Sequence, residues 1–272
     1  MAKPYQHIYL SPHYDDVSLS CGGAIHQQTQ AGQSVLVVTI CAAPLAQDES
    51  LSAFAKSLHQ RWGNPENVVA TRQVEDQASM KILGTDYLRL DFTDCIYRGN
   101  PKKGEWFYNS DPELFGQVHP AEVMLADKIA EVILQQVPRR EDTIIYVPLT
   151  VGYHVDHQLT HAAAWQLRQQ SGWAVIFYED YPYSDPDYAP HGLENPADLE
   201  STLTRLQKLN LRPQLQFLSE ENLRAKIDSI AAYTSQIELL FETRVKMENQ
   251  VRNYALQVGE GKPAERIWFP IG

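Results

Sequence analysis

The sequence contains no apolar run approaching the roughly 18 residues that a membrane span requires. Its first residues, Met1-Ala2-Lys3-Pro4-Tyr5-Gln6-His7, lack the apolar core of a signal peptide and lead directly into a strand-like segment. Both absences point to a soluble, cytoplasmic protein. Positive charge is also scarce: 23 Lys and Arg stand against 34 Asp and Glu, a net charge of −11. That balance repels a polyanion and argues against nucleic acid as a partner. The three cysteines, Cys21, Cys41 and Cys95, are odd in number, far apart and set in apolar surroundings, with no CxxC pair. They exclude a disulfide framework and a thiolate zinc site, and are expected to be small buried hydrophobes. There is no Ser/Gly-rich linker, charge block, internal repeat or low-complexity stretch. A chain of 272 residues without such a divider is expected to form one domain, 1–272, with a sizeable core.

What is present is an alternation of strand and helix patterns. Residues 7–11 and 143–149, and the runs Ser34–Ile40 and Trp173–Tyr178, are too continuously apolar for one-sided burial. Asp86–Phe92 alternates with period two. Helical patterns are expected over 17–31, 71–83 with Gly84 as the stop, 121–137 ended by Pro138, and 157–170. Gly22-Gly23 would let the first helix approach a neighbour closely. One long helical pattern is expected over 219–250, with Ser219 as N-cap. This order predicts an α/β fold, a Rossmann-like, mainly parallel sheet with helices on both faces. Two stretches without periodicity, 93–120 and 180–197, are expected to be lids or binding loops.

Two polar clusters follow apolar runs, at strand ends, where α/β proteins usually bind ligands. The first is Ser11-Pro12-His13-Tyr14-Asp15-Asp16, and the second is His154-Val155-Asp156-His157. Catalytic zinc takes three ligands from His, Asp, Glu or Cys and keeps a position open. The spacing of His13 and Asp16 at a strand-to-helix turn lets both converge on one ion, and His157 would complete the set. Asp15 is then left over as a general base, and His154 as a donor to an oxyanion or to a leaving amine. Each residue also has a plain alternative. Asp15 or Asp16 could cap the helix that follows, and so could Asp156, which could otherwise orient a neighbouring imidazole. His161, four residues after His157, offers a second helical ligand pair, though no Glu lies between them as the zincin pattern requires. A nucleotide-binding domain is disfavoured because no GxGxxG follows the first strand.

Pro12-His13-Tyr14-Asp15-Asp16 and His154-Val155-Asp156-His157 resemble the two motifs of the LmbE/PIG-L family of metal-dependent N-deacetylases. Between them, Arg72-Gln73-Val74-Glu75-Asp76-Gln77-Ala78 and Leu83-Gly84 resemble the family's Arg-x-x-Glu-x-x-x-Ala…Leu-Gly helix, with the Ala shifted by one place. The resemblance covers about residues 7–178; the part from about 198 to 272 matches less sharply, although Tyr233–Gln236 and Glu265–Trp268 resemble elements of some members. It implies an LmbE-like fold and removal of acetyl from an N-acetylglucosamine-type sugar. It further implies His13, Asp16 and His157 as metal ligands, Asp15 as general base, His154 as the oxyanion partner and Arg72 as a substrate-binding residue. A surface ion pair of Arg72 with Glu75 or Asp76 is the alternative. Zinc suits two imidazoles and a carboxylate, and iron(II) or another divalent ion can fill such a site. In this scheme Asp15 takes a proton from water, zinc and a protonated His154 share the negative charge, and an amine and acetate leave.

The chain departs from the common family pattern at Tyr14, where many members have Pro, and at Val17, where they have Glu. Tyr153 stays outside the catalytic set. Trp106, Phe107, Tyr108, Tyr181 and Tyr183 are candidates either to stack on a sugar or to pin the loops. The expected partner is a small amino-sugar substrate, with homo-oligomerisation left open. An amidase acting on a non-sugar acyl group, or a non-catalytic carbohydrate-binding relative, is the competing reading.

Overall fold

The computed structural model describes residues 4–45, 50–63, 67–138, 140–188 and 198–271. Strand β1 (His7–Ser11) leads through the turn 12–15 into α1 (Asp16–Gln30) and β2 (Val35–Thr39). Then come α2 (Ala53–Arg61), α3 (Val68–Leu83) and β3 (Asp86–Arg89). The next stretch holds a two-residue hairpin, β4 (Gly99–Asn100) and β5 (Glu105–Trp106), and the short α4 (Asp111–Leu114). It is followed by α5 (Leu125–Gln136), β6 (Ile144–Pro148), α6 (Val155–Ser171) and β7 (Ala174–Tyr178). The remainder is α7 (Leu199–Arg205), β8 (Leu211–Phe217), α8 (Glu220–Ala231), α9 (Thr234–Phe241), α10 (Arg244–Val258) and β9 (Ala264–Pro270).

Seven strands form one sheet in the order β3-β2-β1-β6-β7-β9-β8. The first five are parallel, and β9 and β8 are added antiparallel. The apolar runs are continuous because both faces are covered. Ile8, Leu10, Leu36 and Val38 point to one side, against Ile129 and Ile133 of α5 and Leu159, Ala163 and Leu167 of α6. Tyr9, Val35 and Val37 point to the other, against Val17, Cys21 and Ile25 of α1 and Met80 and Leu83 of α3. Val17 is fully buried there, so the position where relatives commonly carry Glu is a core position in this chain. All three cysteines are buried free thiols.

The expected α/β architecture is therefore present, with differences at the edges. The strand expected over 86–92 ends at Arg89, leaving Asp91 in a lone bridge to Cys41. The helix expected over 121–137 begins as a 3-10 turn, Pro120–Glu122, and becomes α-helical at Leu125. The pattern over 219–250 is three helices rather than one. Ser219 does cap the first, but Tyr233 turns inward to bond the turn after β1, and Glu242 adopts φ 63° before Thr243 caps the third. Gly23 was expected to permit close packing; a Cβ there would lie 2.4 Å from Leu218. Of the loop expected over 180–197, residues 189–197 lie outside the described residues. Among the described residues no helix is long and apolar enough to cross a membrane.

Candidate metal centre and active site

The chain runs β1-β2-β3 outward and then returns to place β6 on the other side of β1. The crevice at the carboxyl ends of β1 and β6 is thus a topological switch point, the usual ligand position in such sheets. Both polar clusters open onto it.

The turn after β1 is held by its own side chains. Ser11 Oγ donates to His13 O at 2.5 Å and accepts from Val17 N at 3.3 Å, so Ser11 does the capping that Asp15 or Asp16 was free to do. Asp15 makes no side-chain cap. Asp16 Oδ2 accepts from His13 N at 2.7 Å and lies 3.2 Å from His13 Nδ1, and its Oδ1 lies 3.3 Å from His157 Nε2. Two imidazoles from different strand ends therefore face one carboxylate. The far nitrogen of each is held by a further carboxylate: His13 Nε2 by Asp156 Oδ2 at 3.1 Å, His157 Nδ1 by Asp180 Oδ1 at 2.6 Å. Imidazoles backed in this way are typical of metal ligands, because the outer carboxylate fixes ring orientation and raises basicity.

The turn after β6 is built differently. Thr150, Gly152 and Tyr153 all have positive φ, 72°, 84° and 64°, immediately before His154. For Thr and Tyr this backbone costs on the order of 1–3 kcal/mol each and needs external support. Asp180 Oδ2 accepts from Val151 N, Gln158 Nε2 donates to Tyr153 O, and the Arg205 guanidinium lies 3.9 Å over the Tyr153 ring. Gly152 packs against Tyr183, whose ring would be 2.7 Å from a Cβ. His154 Nδ1 accepts from Asp156 N at 3.2 Å and caps α6. Asp156 is thereby released from capping, and its carboxylate takes His13, Cys95 N and Arg98. Arg98 in turn pairs with Glu122, which accepts from Tyr108.

The charges follow from this packing. Burial works to raise the Asp16 pKa, but the facing His157 and His13 outweigh it and hold the carboxyl well below its usual range. Burial likewise opposes protonation of His157, yet Asp16 and Asp180 raise it to about 9, and His13 is raised well above normal for similar reasons. Burial raises Asp15, only partly offset by Arg72. Burial and the adjacent His13 push His154 well below the usual histidine value. The surroundings of His154 thus favour a neutral ring over the protonated one of the expected scheme. With Nδ1 accepting a backbone N–H, its proton sits on Nε2.

All seven residues singled out in the sequence meet at this crevice. His13, Asp15, Asp16, Arg72, His154 and His157 line one cleft, and Asp156 lies behind His13. Arg72 does not form the surface ion pair with Glu75 or Asp76; it is buried and donates to Asp15 Oδ1 at 2.6 Å. His161 is outside the cleft, bonded to Pro148 O and stacked on Phe177. Of the aromatic candidates, Tyr183 lines the cleft. Tyr108 is bonded to Glu122, and Tyr181 packs into the core beside α8 and α10. Trp62, Phe115 and Tyr188 line the cleft instead. Asp180 was missed. Its signal was available, because it follows the apolar run of β7 just as the two clusters follow β1 and β6.

The residues fit a divalent cation. The His13–Asp16–His157 set, with Asp16 and His157 buried and His13 partly so, supplies two borderline nitrogen donors and one oxygen donor, each imidazole pre-oriented from behind. His13, His154 and His157 also approach closely enough to share an ion.

Comparison with known proteins agrees with this geometry. Over 252 residues the chain is 28% identical to 2'-N-acetylparomamine deacetylase of Niallia circulans, covering 86% of this chain and 89% of that one. It is 27% identical over 204 residues to the protein of the same name from Streptomyces fradiae, covering 74% and 63%. Its fold superposes on a solved structure, the zinc-inhibited form of teicoplanin deacetylase, with a TM-score of 0.73, 25% identity and 96% of each chain covered. Residues 8–168 match the PIG-L family, described as GlcNAc-PI de-N-acetylase, and on that match over more than half its length the chain belongs to the PIG-L family of N-deacetylases.

Proposed function

We propose that the cleft hydrolyses the N-acetyl group of an N-acetylglucosamine-type sugar or glycoconjugate, with His13, Asp16 and His157 holding zinc or a similar divalent ion. The observation that carries this reading is the convergence of two carboxylate-backed imidazoles on Asp16 beside a second acid, Asp15, held by Arg72. Bound there, the cation supplies Lewis acidity toward the acyl oxygen and makes water more acidic. Arg72 fixes Asp15 through Oδ1, and the raised proton affinity of the buried carboxyl suits it to take a proton from the attacking water. The neutral His154 presents Nε2–H to the developing oxyanion. Asp15, now protonated, returns its proton to the nitrogen as the C–N bond breaks, leaving amine and acetate. The neutral His154 thus takes the donor role, beside the cation, that the expected scheme gave to a protonated ring.

The relatives' names, deacetylases of N-acetylparomamine and of teicoplanin, support an amino-sugar conjugate as substrate. So do the cleft walls, where Trp62, Phe115, Tyr183 and Tyr188 offer faces for the C–H side of a sugar ring. The whole chain is read as one catalytic domain, because β8 and β9 complete the sheet that carries the site and Trp268 of β9 donates to Glu179, the residue before Asp180. Acetate release from N-acetylglucosamine derivatives, with metal analysis of the same protein, tests the proposal. Asp15→Asn is expected to keep metal and lose about 10²–10⁴ in turnover, whereas Asp16→Ala loses metal too. Full activity after complete metal removal would sink it.

A further inference from the structure

Gln236 lies in the first turn of α9, is 5% exposed, and lines the same cleft as Asp15, Arg72 and His154, yet the mechanism gives it no role. Its orientation is dictated from a distance by Glu75 of α3. Glu75 Oε1 accepts from Thr234 Oγ1 and Ser235 N, and Oε2 accepts from Ser235 Oγ, each at 2.7 Å. A carboxylate only accepts, so the Ser235 hydroxyl proton is committed to it. The hydroxyl oxygen then has only lone pairs to offer, and Gln236 Nε2 donates to it at 2.9 Å. That order settles which end of the amide is nitrogen, a choice that only the hydrogen-bond network can make. The carbonyl Oε1 is left without a partner among the described residues and is not sealed from solvent.

We propose that Gln236 binds substrate, its Oε1 accepting a hydrogen bond from a hydroxyl of the amino sugar, and that Ser235 and Glu75 are positioning residues that aim it. The inference rests on the amino-sugar reading of the cleft. A neutral amide oxygen suits a neutral donor; an ammonium would be drawn instead to Asp94, a carboxylate lining the same cleft. The arrangement also explains why Glu75 is not available to Arg72, three-residue spacing on α3 notwithstanding: its acceptor sites are spent on the N-terminus of α9.

The test is equilibrium binding of N-acetylglucosamine and its 3-, 4- and 6-deoxy analogues to the metal-loaded full chain, with acetate release followed in parallel. Wild type is expected to bind one monodeoxy analogue about three- to tenfold more weakly than the parent, the range of one net hydrogen bond. In Gln236→Leu that ratio falls to one, through weaker binding of the parent alone. Ser235→Ala, which frees the amide to turn over, gives an intermediate ratio. A merely structural Gln236 would weaken all ligands alike and leave the ratio unchanged, which would overturn the proposal, as would a wild type that binds every analogue equally or binds none. If Gln236→Leu does not fold, Gln236→Met carries the same comparison. Absence of acetate release from any of these sugars would count against the deacetylase reading and leave the binding ratio to decide the role of Gln236.

Discussion

The turns after β1 and β6 deliver similar side chains to one crevice by opposite means. The first is held locally: Ser11, His13 and Asp16 bond one another within six residues, in ordinary backbone. The second passes through three positive-φ residues and is held from elsewhere, by Asp180 after β7, Arg205 of α7 and Tyr183. The two are then cross-braced, since His13 of the first turn is oriented by Asp156 of the second. The backing acids differ as well. Asp156 is locked by Arg98 and held well below its usual pKa, burial notwithstanding, whereas among the described residues Asp180 has only His157 and one backbone N–H, and burial leaves it raised. A locally held arm tolerates change elsewhere in the chain. A remotely held arm makes distant residues part of the site.

If that contrast is right, the largest effect lies in the remote arm. Asp180→Asn removes both the acceptor behind His157 and the charge that favours it, and metal affinity measured by competition with a chelator is expected to fall by about 10–100-fold. A fall no larger than that from an exposed control such as Asp142→Asn would erase the distinction.

The second test uses pH. In the metal-free protein His157 is raised to about 9, so its bonds to Asp16 and Asp180 add stability that is complete below the ordinary histidine pKa and is lost as pH rises through about 9. A cation needs the neutral ring, so the sign reverses for binding. Metal affinity should rise roughly tenfold per pH unit for each proton displaced, the His157 contribution flattening near pH 9. Calorimetry in buffers of different ionisation enthalpy counts the protons; release of none near pH 7 would contradict the assigned charges.

The smallest effect is expected in the local arm. Ser11→Ala deletes the side-chain cap of α1 and should cost about 1 kcal/mol in denaturant unfolding, with metal affinity nearly unchanged because Asp16 still anchors His13 N. A loss of metal binding comparable to that of Asp180→Asn would show that both arms depend on their supports equally.

The parallel half of the sheet was legible because strands buried on both faces must be continuously apolar, and because Gly84 and Pro138 mark where helices cannot continue. His13, Asp15, Asp16, His154, Asp156 and His157 were legible because strand ends in such a sheet converge, so short polar clusters after apolar runs announce themselves. The breaks at Tyr233 and Glu242 were not, since helical periodicity persists across them and the first is fixed by partners distant in the chain, Tyr233 bonding Tyr14 O and Glu75 holding the start of α9. Trp62, Phe115 and Tyr188 were equally hidden, because nothing local distinguishes an aromatic residue that faces a cleft from one that pins a loop.

The sequence by itself determined the order of strands and helices in the parallel half of the sheet, the residue types of the two motifs and their place at strand ends, for these depend on periodicity and on neighbours in the chain. Only the tertiary structure decided which carboxylate stands behind which imidazole, that burial and His13 work against a charged His154, that Arg72 belongs to Asp15, and which way Gln236 points. Those outcomes depend on burial and on partners up to about 160 residues away, as Glu75 and Ser235 are, and such distances leave no period to read.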